Sequence, residues 1–152
     1  MTSQLNVDTI VDKAGSGGSN VKMANTSTYV SEGGNVTQNT VQGLAKSWAN
    51  FNGEGTAAIL DSINTASLTD SGTAKFSINF SSAMANVYYV FTGLAFHSSA
   101  SGFDDAVCIS RDNTQLSSVS TTVNPFYTFR VEGTVQIKDC KENMVTYNGD
   151  LA

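Results

Sequence analysis

A single histidine, His97, limits the acid–base and nucleophilic chemistry open to this 152-residue chain. It stands where an apolar run, residues 87–96, enters a loop holding Ser98, Ser99 and Ser101, with Asp104 and Asp105 close behind. Serine, histidine and aspartate are the groups of an activated hydroxyl nucleophile, in which imidazole takes the proton and a carboxylate orients the ring. None of these serines sits in a nucleophile-elbow or oxyanion-loop pattern, and such triads assemble from distant segments rather than from neighbours. A loop histidine that is solvated or touches a partner is the favoured reading. Asp104 and Asp105 with Asp112, or Asp139 with Glu142, offer oxygen ligands for calcium, but without the alternating carboxylates and fixed glycine of a calcium loop. Cys108, Cys140 and His97 lack zinc spacing and a fourth ligand. Gly15-Ser16-Gly17-Gly18 is glycine-rich, but no helix follows to aim its N-terminus at a phosphate. No catalytic, cofactor-binding or metal-binding residue is assigned, and the chain reads as a non-enzyme.

Aromatic residues in polar surroundings suggest recognition instead. Phe103 lies in a polar loop, and Phe126 and Tyr127 follow Asn124-Pro125. Aromatic faces beside Asn, Asp and Ser can hold a sugar, yet the same residues serve equally as core anchors or intersubunit contacts. His97, Phe103, Asp104, Pro125 and Tyr127 are therefore the candidate receptor-contact positions, on loops.

The elements that must position these residues read as strands. Residues 74–80 are the clearest case, with Ala74, Phe76, Ile78 and Phe80 alternating with Lys75, Ser77 and Asn79. Residues 87–96 are nearly continuously apolar, which predicts a central strand covered on both faces. Residues 57–63 predict a strand with Ile59, Asp61 and Ile63 on one face. Residues 44–51 predict another, closed by a hairpin-type turn at Asn52-Gly53. Residues 106–110, 127–131, 134–138 and 143–147 complete a set of seven or eight short strands. Turn signals every eight to twelve residues make this an all-β chain, an antiparallel β-sandwich of jelly-roll-like form.

The first 42 residues differ in texture. Every large aromatic except Tyr29 lies after residue 47. The stretch before it is polar and rich in Gly, Ser, Thr and Asn, with scattered aliphatics that bury too little apolar surface to offset ordering entropy. The division is an extended attachment arm, 1–42, and a sandwich head, 43–152. Leu5, Val7, Ile10, Val21, Tyr29 and Val30 are the arm residues placed against neighbouring chains or a larger particle. Charged residues are only 14% and the formal net charge is −5, with Ser, Thr and Asn about a third of the chain. Such a chain has no basic patch for phosphates, so nucleic-acid binding is not expected. No signal peptide and no run long enough for a membrane span is read. Two cysteines cannot frame a small disulfide fold, and two free buried thiols are favoured over one bridge.

The segment Gly43-Leu44-Ala45-Lys46-Ser47-Trp48-Ala49-Asn50-Phe51-Asn52-Gly53-Glu54-Gly55 resembles a module of tail fibres and related virion structural proteins of tailed bacteriophages. The continuation Ile59-Leu60-Asp61-Ser62-Ile63-Asn64 is similar to the same module, as are residues 68–80 and Ser82-Ala83-Met84. The start, Leu5-Asn6-Val7-Asp8-Thr9-Ile10-Val11-Asp12-Lys13-Ala14-Gly15, resembles the leader of many such proteins, especially those of marine phages. The resemblance covers about half the chain; residues 97–142 lie outside it. It implies a homotrimeric β-rich appendage in the virion, assembled in the host cytoplasm. Its N-terminal arm would join other virion proteins of tail or capsid, and its head would face a host-surface glycan. A small tail fibre leads this reading. The alternatives are a capsid decoration (cement) protein stapling capsid subunits, and a carbohydrate-binding, lectin-like receptor-binding tip. A polysaccharide-cleaving enzyme ranks last, for want of an assignable carboxylate pair.

Overall fold

The structure, a computed structural model, describes residues 28–30, 37–39, 43–96, 106–111, 119–132 and 134–152. Every regular element among them is a strand. In chain order these are β1 (Thr28–Val30), β2 (Thr37–Asn39), β3 (Ala45–Asn52), β4 (Ala58–Ile63), β5 (Thr65–Asp70) and β6 (Lys75–Phe80). Next come β7 (Val90–Phe96), β8 (Ala106–Arg111), β9 (Val123–Glu132), β10 (Thr134–Ile137) and β11 (Glu142–Asn148). The chain divides into two units, Met1–Val41 and Gln42–Ala152. In the first, β1 and β2 pair antiparallel with each other. The backbone of Tyr29 and Val30 therefore finds partners within the chain, while Leu5, Val7, Ile10 and Val21 lie outside the described residues.

The second unit is an antiparallel sandwich. One sheet runs β4-β3-β11-β7; the other runs β5-β6-β9 and ends on β8. The ten-residue β9 pairs with β8 along one edge over residues 126–131. Its opposite edge is shared, with β6 pairing residues 123–127 and β10 residues 129–132. Alternation supplies the interior. Ala49 and Phe51 of β3 and Val145 and Tyr147 of β11 face Phe76, Ile78 and Phe80 of β6 and Phe126 of β9, and all are buried. The rings meet edge to face, Phe51 with Phe76 at 5.2 Å and Phe80 with Tyr147 at 4.9 Å between centroids. Each fully buried large side chain contributes about 1.5–3 kcal/mol, and such ring pairs about 0.5–1.5 kcal/mol more.

Asn64 is the corner where the chain leaves one sheet for the other. It is the one residue between β4 and β5, at φ 51°. Asparagine tolerates this left-handed conformation better than other side chains with a Cβ. Its amide then clamps the neighbourhood. Nδ2 donates to the carbonyls of Lys46 (3.0 Å) and Ser82 (3.1 Å), and Oδ1 accepts from the Ser82 N–H (2.6 Å). Its own carbonyl accepts from Ser81 N–H and from the buried Ser47 hydroxyl.

Four features depart from the sequence reading. The Asn52-Gly53 pair is no two-residue hairpin, because β4 starts only at Ala58 and the positive φ falls on Gly55. Gly53 is needed for closeness: a Cβ there would lie 2.8 Å from the Phe76 ring and 2.9 Å from the Cys140 carbonyl. In β4 a bulge at Leu60 shifts the phase, so Ile59 opposes inward-facing Phe51 while Asp61 and Ile63 oppose outward-facing Asn50 and Trp48. One extra residue moves the remainder of the strand to the other face. The 87–96 run is no central strand, since β7 is the last strand of its sheet. Finally, Pro125 lies not in a loop but inside β9, buried beside buried Phe126. It is tolerated because β8 pairing starts only at Phe126, so the missing N–H removes no bond on that edge.

Replacing Asn64 by alanine should cost about 2–4 kcal/mol in chemical denaturation, from lost hydrogen bonds and left-handed strain together. Asn64→Gly loses the same amide bonds but is unstrained at this left-handed φ, so it should fall between alanine and the parent. Equal costs for the two variants would mean that the left-handed backbone contributes nothing.

Candidate functional site

Among the described residues the chemistry suggested by the sequence comes together at no joint site. His97, Phe103 and Asp104 lie outside the described residues, as do Ser98, Ser99, Ser101, Asp105 and Asp112. Among the described residues no group of three or more His, Cys, Asp or Glu could hold a metal ion. Asp139 and Glu142, the other candidate calcium ligands, have different occupations. Asp139 Oδ1 accepts from the N–H of Ala74 at 2.6 Å and so holds the left-handed residue (φ 63°) that leads into β6. Glu142 Oε1 accepts from Asn50 Nδ2 at 3.3 Å across the sheet. Tyr127 is half-buried in β9 with the Lys75 ammonium 5.4 Å from its ring centroid.

Cys140 is a free, buried thiol. Burial pushes it up to about 11, against a smaller opposing effect of its hydrogen bond with Thr128. It is neutral at pH 7 and lacks the electropositive, accessible setting of a reactive thiolate.

What the sandwich does present is an apolar sheet face. On the outside of β4-β3-β11-β7, the cross-strand register sets Leu94 beside Met144 and Thr92 beside Thr146. It sets Trp48 between Thr146 and Ile63. Leu94 is 59% exposed, Phe96 52% and Ile63 53%. A shallow groove of about 480 Å³ runs across the three strands, lined by Trp48, Asn50, Thr92, Leu94, Met144 and Thr146. Carboxylates stand only towards its margins, where Asp61 pairs across from Asn50 and Glu142 from Phe96. Val90, further along β7 and 59% exposed, adds to the half-exposed apolar side chains of this face.

This patch explains the apolar run of 87–96. Phe91 and Ala95 turn inward, and Val90, Leu94 and Phe96 turn outward onto the open face. Both faces of the strand are apolar, but among the described residues only one is covered. Sequence reasoning missed Trp48 and Met144 as surface residues because each lies in a strand that also supplies the core, and it misplaced Ile63 because the bulge at Leu60 shifts the phase of β4. The alternation of Trp48, Asn50 and Asn52 against Ser47, Ala49 and Phe51 was the available signal.

The Cys140 thiol gives a pH test. Its proton is held more tightly in the folded chain, so its contribution is complete below its ordinary value of 9.0 and is lost as pH rises through about 11. Melting temperature should therefore fall more steeply over that window in the parent than in Cys140→Ala. Parallel curves for the two proteins would contradict it.

Compared with known proteins, the chain matches no family model, no curated sequence and no solved structure.

Proposed function

We propose that the chain is a structural protein of a tailed-phage virion, a small tail fibre or appendage. Residues 1–42 attach it, and the sandwich is displayed as a homotrimer. The observation that carries this reading is the apolar outer face around Trp48, Leu94, Phe96 and Met144. A contiguous apolar face with polar groups at its rim is the form that protein contact surfaces take, and this supports the reading. The occupant is a sister copy of the same face. The centre of the patch carries no charge, so copies meet there without like-charge repulsion, and its acidic groups stay at the margin where water keeps them solvated. Three copies on one particle would also gain by effective concentration in any weak contact with a host surface.

Sedimentation of the full chain should show a concentration-dependent trimer. The chain's one tryptophan, Trp48, lies in the proposed contact, so its emission should shift to the blue as trimer forms. Leu94→Lys should abolish both changes while leaving the β-sheet circular dichroism intact. A parent protein that stays monomeric up to its solubility limit would sink the assembly reading.

Truncation to residues 43–152 should leave a folded sandwich that no longer joins particles. Labelled wild-type chain should appear on the tail; density over capsid lattice positions would replace the fibre by a cement protein.

A further inference from the structure

The two sheets do not close on each other where β7 ends one and β8 ends the other. Among the described residues β7 pairs only with β11, and β8 only with β9. Alternate residues of each strand therefore direct backbone N–H and C=O groups away from the sheet, towards this opening. Between them lies a cleft of about 430 Å³, lined by Tyr89, Phe91, Gly93, Ile109 and Arg111 among others. Gly93 stands where the cleft wall is close-packed: a Cβ there would lie 3.0 Å from Ile109 Cδ1 and 2.7 Å from the Met144 carbonyl.

Arg111 is the unusual occupant. In β8 it follows Ile109 by two residues, and Ile109 packs on the core, so the arginine shares the inward face. Its guanidinium carbon lies 5.6 Å from the centroid of the Tyr89 ring, and Nη2 donates to the Tyr89 carbonyl at 3.4 Å. A guanidinium has five N–H donors, and among the described residues no carboxylate pairs with this one. The platform beneath it is fixed. Tyr89 is buried; its hydroxyl donates to the Ser120 carbonyl at 3.1 Å, and the hydroxyl oxygen accepts from Asn124 Nδ2 at 3.3 Å. Asn124 in turn accepts from the Tyr147 hydroxyl at 3.4 Å. A planar cation is thus held in place at a cleft mouth, and among the described residues its hydrogen-bond acceptor is the Tyr89 carbonyl.

We propose that this cleft is a binding site for a small organic carboxylate. The carboxylate takes the free edge of the Arg111 guanidinium, which matches it with two parallel hydrogen bonds. The body of the ligand rests against Phe91 and Ile109, and the free backbone edge of β7 meets any polar substituent. The volume suits one ring-sized body. The site does not depend on the virion role, and its failure would leave the trimer face untouched.

The test is amide and arginine side-chain NMR on the full chain, titrated with benzoate and glucuronate and, in parallel, with benzyl alcohol, glucose and sulfate. Saturable shifts at Gly93 and Arg111 are expected with benzoate but not benzyl alcohol, or with glucuronate but not glucose. The pair that responds identifies the body the cleft accepts. Arg111→Lys keeps the charge without the planar fork and should weaken binding at least about tenfold. Arg111→Gln should abolish it, with the melting curve of each variant recorded as a folding control. Three results would overturn the site: no shift with either carboxylate, equal shifts with the neutral counterparts or with sulfate, or binding retained in Arg111→Gln. An Arg111→Gln protein that self-associates, from a parent that binds no carboxylate, would show instead that the inward charge only guards an open sheet edge.

Discussion

The sandwich depends on a single-residue corner. Between β4 and β5 the chain must leave one sheet and enter the other, and only Asn64 is available to turn it. A left-handed backbone makes the turn in one step, and asparagine can adopt it while its amide replaces the ladder bonds that the corner interrupts. The bonds to Lys46 and Ser82 tie the corner to β3 and to the segment after β6. Those ties bring the two sheets into facing position, so that Phe51 and Tyr147 on one side meet Phe76 and Phe80 on the other.

Once the sheets face each other, the distribution of apolar residues decides the rest. The interior is filled by one face of each strand, and the side-chain N–H groups of Asn124 and Asn143 donate to named partners inside it. Among the described apolar residues left over, Ile63, Val90, Leu94 and Phe96 stand on the outer face of the four-stranded sheet, near Trp48 and along its edge strand, while Tyr88, Val135 and Ile137 are exposed elsewhere. The grouping on that one face supports an assembling role.

Legibility followed covering. In β6, one face is core and the other solvent, so the strict alternation of Phe76, Ile78 and Phe80 with Lys75, Ser77 and Asn79 could be read directly. In β7, both faces are apolar, and no local pattern distinguishes a strand covered twice by its own fold from one left open for a partner. In β4, periodicity failed for a different reason: a bulged residue shifts the phase, and bulges depend on cross-strand geometry. Pro125 suggested a loop because proline cannot donate to a ladder; that it stands in β9 depends on where the neighbouring β8 begins. The Arg111 cleft had no signal at all, since it joins residues from two sheet edges and the segment before β7.

The sequence by itself determined the class of fold and the division of texture near residue 42. Period-two alternation, turn residues and composition are properties of short windows, and these conclusions need nothing longer. Tertiary structure alone decided which apolar faces are covered, which edges stay open and which polar groups are already paired. Those depend on which strands become neighbours, and neighbours in a sandwich, such as Trp48 and Thr146 or Tyr89 and Arg111, are set by pairings across distances that no local window contains.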